Sequence, residues 1–96
     1  MKVFTVEYHY VTDRDEEMAE VRPTHRAFNG ELAAQGRLIA AGPYTDTHDA
    51  LIIVRAEDAA GALELLEADP FNQAGFIAER FPREWNPVIG SIPAEG

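Results

Sequence analysis

The chain has 96 residues, 46% hydrophobic and 9% aromatic, with no cysteine and a formal charge of -9 from 17 Asp and Glu against 8 Lys and Arg. A single domain over residues 1–96 is expected, because chains divide into several cores only beyond roughly 250 residues. The acid excess argues against nucleic acid and anionic lipid as partners, and the missing cysteines exclude disulfides, thiolate nucleophiles and Cys-ligated metals.

Residues 2–11 alternate, with Phe4, Val6, Tyr8 and Tyr10 on one side and Val3, Thr5, Glu7, His9 and Val11 on the other, which predicts a strand with one greasy face. Glu7 also interrupts any N-terminal signal core, and no apolar run approaches ~18 residues, so a cytoplasmic protein without membrane partners is expected. Residues 13–21 are charged and helix-tolerant, but Pro23 should interrupt or restart them, so the main helix is placed from about Arg22 to Gln35. Gly36 is its stop. Met18, Val21, His25, Phe28 and Leu32 form its inner stripe, so one position of an apolar face is a histidine.

Leu38 to Ala41 reads as a strand ended by Gly42-Pro43, and Ala50 to Val54 as another, both central or two-sided. Glu57 to Ala68 is a second helix, weakened by Gly61 and ended at Asp69-Pro70, and Phe76 to Phe81 is a fourth strand. Residues 91–96 look like a flexible tail. The order strand, helix, strand, strand, helix, strand fits a ferredoxin-like α+β fold, an antiparallel sheet with two helices on one face. The other face, expected to hold Val3, Thr5, Leu51 or Ile52, and Ile77, is too apolar to stay wet. A homodimer is therefore expected, with higher assemblies open.

His25, inside the apolar stripe, could be a general acid or base or simply a satisfied structural histidine. Arg22, three residues earlier, could hold a substrate anion or pair on the surface with Glu16 or Glu20. Asp69 sits where the chain turns, and capping is its simplest role. Gly42 and Pro43 could let a ligand approach the backbone or form a plain turn. Tyr8 and Phe71 are candidate pocket walls. His48 with Asp46 and Asp49 reads as a solvated loop. No metal site is expected, since His9, His25 and His48 lack ligand spacing, and no nucleotide-binding or nucleophile-elbow motif is present.

Arg22-Pro23-Thr24-His25, Ala41-Gly42-Pro43 and Asp69-Pro70-Phe71 occur in the order and spacing of YCII-related proteins, which the chain resembles over nearly its whole length. Phe81, Trp85 and Val88 are similar to that family's closing segment. The resemblance implies a ferredoxin-like subunit of the dimeric α+β barrel superfamily, whose two sheets enclose a pocket. It also implies a pocket histidine and aspartate, carried here by His25 and Asp69, and some relatives carry out dehydrochlorination in aromatic degradation. The expected function is a small cofactor-free enzyme in which a His25-Asp69 dyad moves a proton on a small anionic or phenolic molecule, by elimination or isomerisation. The alternatives are a non-catalytic ligand-binding or regulatory dimer and a purely structural role for the pair.

Overall fold

The computed structural model describes residues 1–92, and the part of the expected tail from 93 to 96 lies outside them. The first strand, β1 (Lys2–Tyr10), buries Phe4, Val6 and Tyr8 and half-buries the residues between them, as the period-2 alternation requires. Helix α1 (Asp15–Ala34) begins a full two turns before the expected start and carries Pro23 in its interior. Asp15, Glu16 and Glu17 occupy its first turn, where the helix dipole favours anions. Met18 and Leu32 are buried on either side of the proline, while Pro23 itself faces solvent. The apolar stripe is thus continuous through Pro23, and packing along it outweighs one missing N–H. The helix stops as expected: Gly36, at φ 75°, donates to Ala33, and Arg37 donates to Leu32, a Schellman closure that suits glycine.

Strands β2 (Leu38–Pro43) and β3 (Ala50–Ala56) follow, the former extending through Gly42-Pro43 instead of ending before them. Helix α2 (Ala59–Leu65) is shorter than its predicted segment, and its N-cap Asp58 accepts the Gly61 N–H at 2.7 Å. A four-residue helix, α3 (Pro70–Gln73), absent from the sequence expectation, starts at Asp69 with Pro70 in its first turn. Strand β4 (Ile77–Glu84) runs through Pro82, which an edge strand can accommodate.

The four strands form one antiparallel sheet in the order β2-β3-β1-β4, and α1 and α2 both pack on the same side, giving the ferredoxin-like α+β fold. β3 is central as expected, but β2 is an edge. Ile52 and Ile77 pack with the helices and not on the open face, because the strand alternation puts Leu51 and Ile53 outward instead. The main core joins Val6, Tyr8, Ile52, Val54, Ala62 and Leu66, and a smaller cluster of Met18, Phe71 and Phe76 sits beside it beneath α1. That smaller cluster supports the site.

Candidate active site

The middle of α1 and the turn before α3 bring His25 and Asp69 together across 44 positions. His25 projects from the inner stripe of α1, and Asp69 caps α3 by accepting the Phe71 N–H at 2.9 Å on Oδ1. The same oxygen is 2.7 Å from His25 Nδ1. Oδ2 accepts the Tyr8 hydroxyl at 3.1 Å. Asp69 is 0% exposed, so these three donors are what allow a carboxylate to be buried there. An acceptor-only carboxylate fixes the hydrogen of His25 on Nδ1 and leaves Nε2 with a lone pair.

The imidazole is further set by Phe71, whose ring stacks on it at 3.9 Å between centroids with only 5° between planes. Phe71 is held edge-on by Tyr10 at 5.6 Å and Phe76 at 5.8 Å. Asp69 therefore orients both the ring and the aromatic plate beneath it. Burial, followed by the Asp69 charge, pushes the Tyr8 and Tyr10 phenols far above the ordinary tyrosine value, so both remain protonated. Arg22 opposes this at Tyr10, which places positive charge on the same side of the site.

His25 opens on a cavity of about 760 Å³ between α1 and the β2–β3 edge of the sheet. Its space comes from small residues on both walls, Gly30 and Ala33 on the helix and Ala40, Ala41 and Gly42 on β2. A Cβ at Gly30 or Gly42 would meet nothing within 4 Å. Arg22, Arg26, His25 and His48 line the cavity, and none of the described residues lining it is Asp or Glu. In a chain of net charge -9 that exclusion makes the cavity an anion-favouring island.

Arg22, His25, Gly42, Pro43 and Phe71 all line this cavity, whereas Asp69 and Tyr8 lie beneath it. Tyr8 is thus not a wall: an inward β1 position puts it at 0% exposure under Asp69. Sequence reading passed over Arg26 and Asn29, although each stands four residues after a chosen candidate and so shares its helix face. It also set His48 aside as a solvated loop residue. His48 is exposed and 3.4 Å from Asp15, yet it packs edge-on to Tyr10 at the cavity mouth, a placement that only tertiary folding creates.

A second polar group lies on the opposite face of the sheet. Glu7 accepts from Tyr44 at 2.7 Å and pairs with His9 at 2.7 Å, and the His9 ring packs on Phe81 at 4.8 Å. Hydrogen bonding to His9 and Tyr44 lowers the Glu7 pKa, and the bond to Glu7 raises that of His9. No helix among the described residues is long and apolar enough to cross a membrane.

The fold is shared with several solved structures. 5-Chloro-2-hydroxyhydroquinone dehydrochlorinase from Burkholderia phenoliruptrix, in complex with 2,5-dihydroxybenzoquinone, matches with a TM-score of 0.73 and 22% identity, over 88% of this chain and 93% of that one. A putative antibiotic biosynthesis monooxygenase from Nitrosomonas europaea matches with a TM-score of 0.60 and 15% identity, over 93% of this chain and 100% of that one. A NIPSNAP family protein from Agrobacterium tumefaciens matches with a TM-score of 0.55 and 17% identity, over 90% and 91% of the two chains. No curated protein matches. The model of the YCII-related domain family matches residues 1–86, and with the sheet order and the motifs at Arg22, Gly42 and Asp69 in place the chain belongs to that family.

Proposed function

We propose that the chain is a small enzyme in which His25, oriented by Asp69, removes a proton from a small anionic or phenolic molecule. The observation that carries this reading is the 2.7 Å contact between His25 Nδ1 and a carboxylate with no solvent exposure. Fixing the hydrogen on Nδ1 keeps Nε2 as the basic atom, and the carboxylate stabilises the imidazolium formed when Nε2 takes a proton. The bonding pair left on the ligand generates an enolate or phenolate, which Arg22 at the cavity wall would hold. Return of the proton to a carbon of that anion gives the keto tautomer, an isomerisation; where that carbon carries a leaving group such as chloride, removal of a second hydroxyl proton supplies the electron pair that expels it and completes an elimination. Neither route requires a cofactor. The dehydrochlorinase among the structural neighbours makes a halogenated hydroquinone the natural first probe.

The test follows chloride release from 5-chloro-2-hydroxyhydroquinone by the native protein and by His25→Ala and Asp69→Asn. Loss of 10²- to 10⁴-fold in both variants is expected of a general base and its orienting carboxylate. Undiminished turnover in folded His25→Ala would overturn the reading. Binding of 2,5-dihydroxybenzoquinone without turnover of any related phenol would favour the ligand-binding alternative, for which the acid-free cavity is equally suited.

A homodimer belongs to the same proposal. Val3, Thr5, Leu51, Ile53 and Phe81 leave a half-exposed apolar face on the side of the sheet away from the helices, and a second copy would cover it without closing the cavity.

A further inference from the structure

Asn29 follows His25 by one helical turn on α1 and reaches the ring nitrogen that Asp69 leaves free, with Asn29 Nδ2 3.4 Å from His25 Nε2. Its other end is unsatisfied: Asn29 Oδ1 is buried with no hydrogen-bond partner among the described residues. Most buried side-chain polar atoms have one, so an unused acceptor beside a candidate base calls for a reason. While His25 is neutral, Nε2 offers a lone pair and an amide N–H is the fitting neighbour. Once Nε2 takes a proton it needs an acceptor, and Asn29 holds one in reserve. The two ends of a carboxamide are nearly equal in size, so a half-turn about χ2 exchanges them in the same space.

Resting on the proton-transfer reading above, we propose that Asn29 is a positioning residue whose side-chain amide reverses as His25 gains and loses its proton. When Nε2 removes a proton, the electron pair of the broken bond stays with the ligand and a new N–H bond forms on the ring. Oδ1 then accepts from that N–H, so the ring can release the ligand anion and keep the proton. Elimination and isomerisation both need this, since the proton leaves to solvent or returns at a different atom. The other titratable and charged groups around the ring are Asp69 from the α2–α3 turn, Tyr10 of β1, Arg22 and Arg26 of α1, and His48 of the β2–β3 loop. Of these, only Asp69 is hydrogen-bonded to the ring among the described residues.

The experiment follows the His25 ring nitrogens and the Asn29 side-chain amide by NMR across pH, in the native chain, Asn29→Leu, Asn29→Asp and Asp69→Asn. The Asn29 amide signals of the native chain should move in step with the ring. The ring's titration midpoint should fall by about half a unit or more in Asn29→Leu, because the charge-assisted bond that the cation loses is stronger than the amide bond that the neutral ring loses, and rise in Asn29→Asp, where both ends accept. An unmoved midpoint in folded Asn29→Leu, with amide signals flat through the titration, overturns the proposal. If Asn29→Leu fails to fold, the native amide signals decide in its place, moving in step with the ring if the proposal holds and staying flat if it does not. The two readings separate cleanly. A ring that responds to Asp69→Asn but not to Asn29→Leu leaves the dyad standing and removes this inference, whereas a ring that ignores Asp69→Asn removes the dyad and with it the reading on which this inference rests.

Discussion

At the scale of single residues the molecule keeps two of its histidine–carboxylate pairs in opposite environments, and the difference decides what each can do. Asp69 is wholly buried with three donors and fixes His25 in one orientation. Glu7 and His9 meet on the open face, where their side chains are 40% and 37% exposed and solvent screens them. Asp49, Glu79 and Arg83 stand around the pair, and Tyr44 holds the second Glu7 oxygen. Because the His9 pKa is raised on folding, its contribution is complete below the ordinary 6.5 and fades as pH rises through the higher folded value. Because that of Glu7 is lowered, its contribution is complete above the ordinary 4.5 and fades as pH falls through the lower folded value. The pair therefore stabilises most between 4.5 and 6.5. Thermal melts of the native chain and Glu7→Gln should differ most in that window, and the difference should shrink as pH rises through the folded His9 value, leaving the part that the Tyr44 bond to Glu7 supplies. A difference that stays constant across the series would remove the pair as a contributor.

At the scale of elements the instructive case is α1. Pro23 lacks the N–H that would bond to the Ala19 carbonyl and its ring crowds that carbonyl, an interior position that costs about 3 kcal/mol relative to a good helix former. The side chain faces solvent and contributes no core contact. Pro23→Ala should therefore raise the unfolding free energy by about 1–3 kcal/mol in urea denaturation, the lower end reflecting the entropy that proline removes from the unfolded chain. A destabilised variant would show that the proline performs some positive packing role. The same residue explains why the start of α1 was misread. A local rule ends helices at proline, but the stripe from Met18 through Val21 and Phe28 to Leu32 gains more by packing than one hydrogen bond loses. β1 was legible because its alternation repeats over four inward positions, and the α1 stop was legible because glycine alone takes φ 75° without strain. α3 was not, since four residues carry no period. Within the site, helical spacing could have supplied Arg26 and Asn29 from Arg22 and His25. Nothing local could show that Tyr8 reaches Asp69 across 61 positions, or that the Thr47-His48 loop folds over the cavity mouth.

At the scale of the whole molecule, the separation of two faces governs behaviour. The helix side carries the cavity and the core, while the opposite side of the sheet presents Val3, Leu51, Ile53 and Phe81 half-exposed, interleaved with Glu7, His9, Arg55, Glu79 and Arg83. The chain continues this apolar character past β4: the Trp85 N–H donates to the Val3 carbonyl at 2.9 Å, and Trp85, Val88 and Ile89 are exposed. A chain of this size buries only about two-thirds of its surface alone, so covering such a face is the largest stabilisation still open to it. Light scattering at micromolar concentration should accordingly give a mass near twice 10.6 kDa, and a larger multiple would mean that the face-to-face pair assembles further. Ile53→Glu puts a charge in the middle strand of that face, opposite Thr5, where burial against a second copy would strip it of water without a partner. That variant should run as a monomer with its circular dichroism unchanged, because Ile53 points away from the helices and the His25 cavity. A native chain of 10.6 kDa under the same conditions would mean that the half-exposed face is stable in water, while the His25 cavity, lined on the helix side by one chain, would be unchanged.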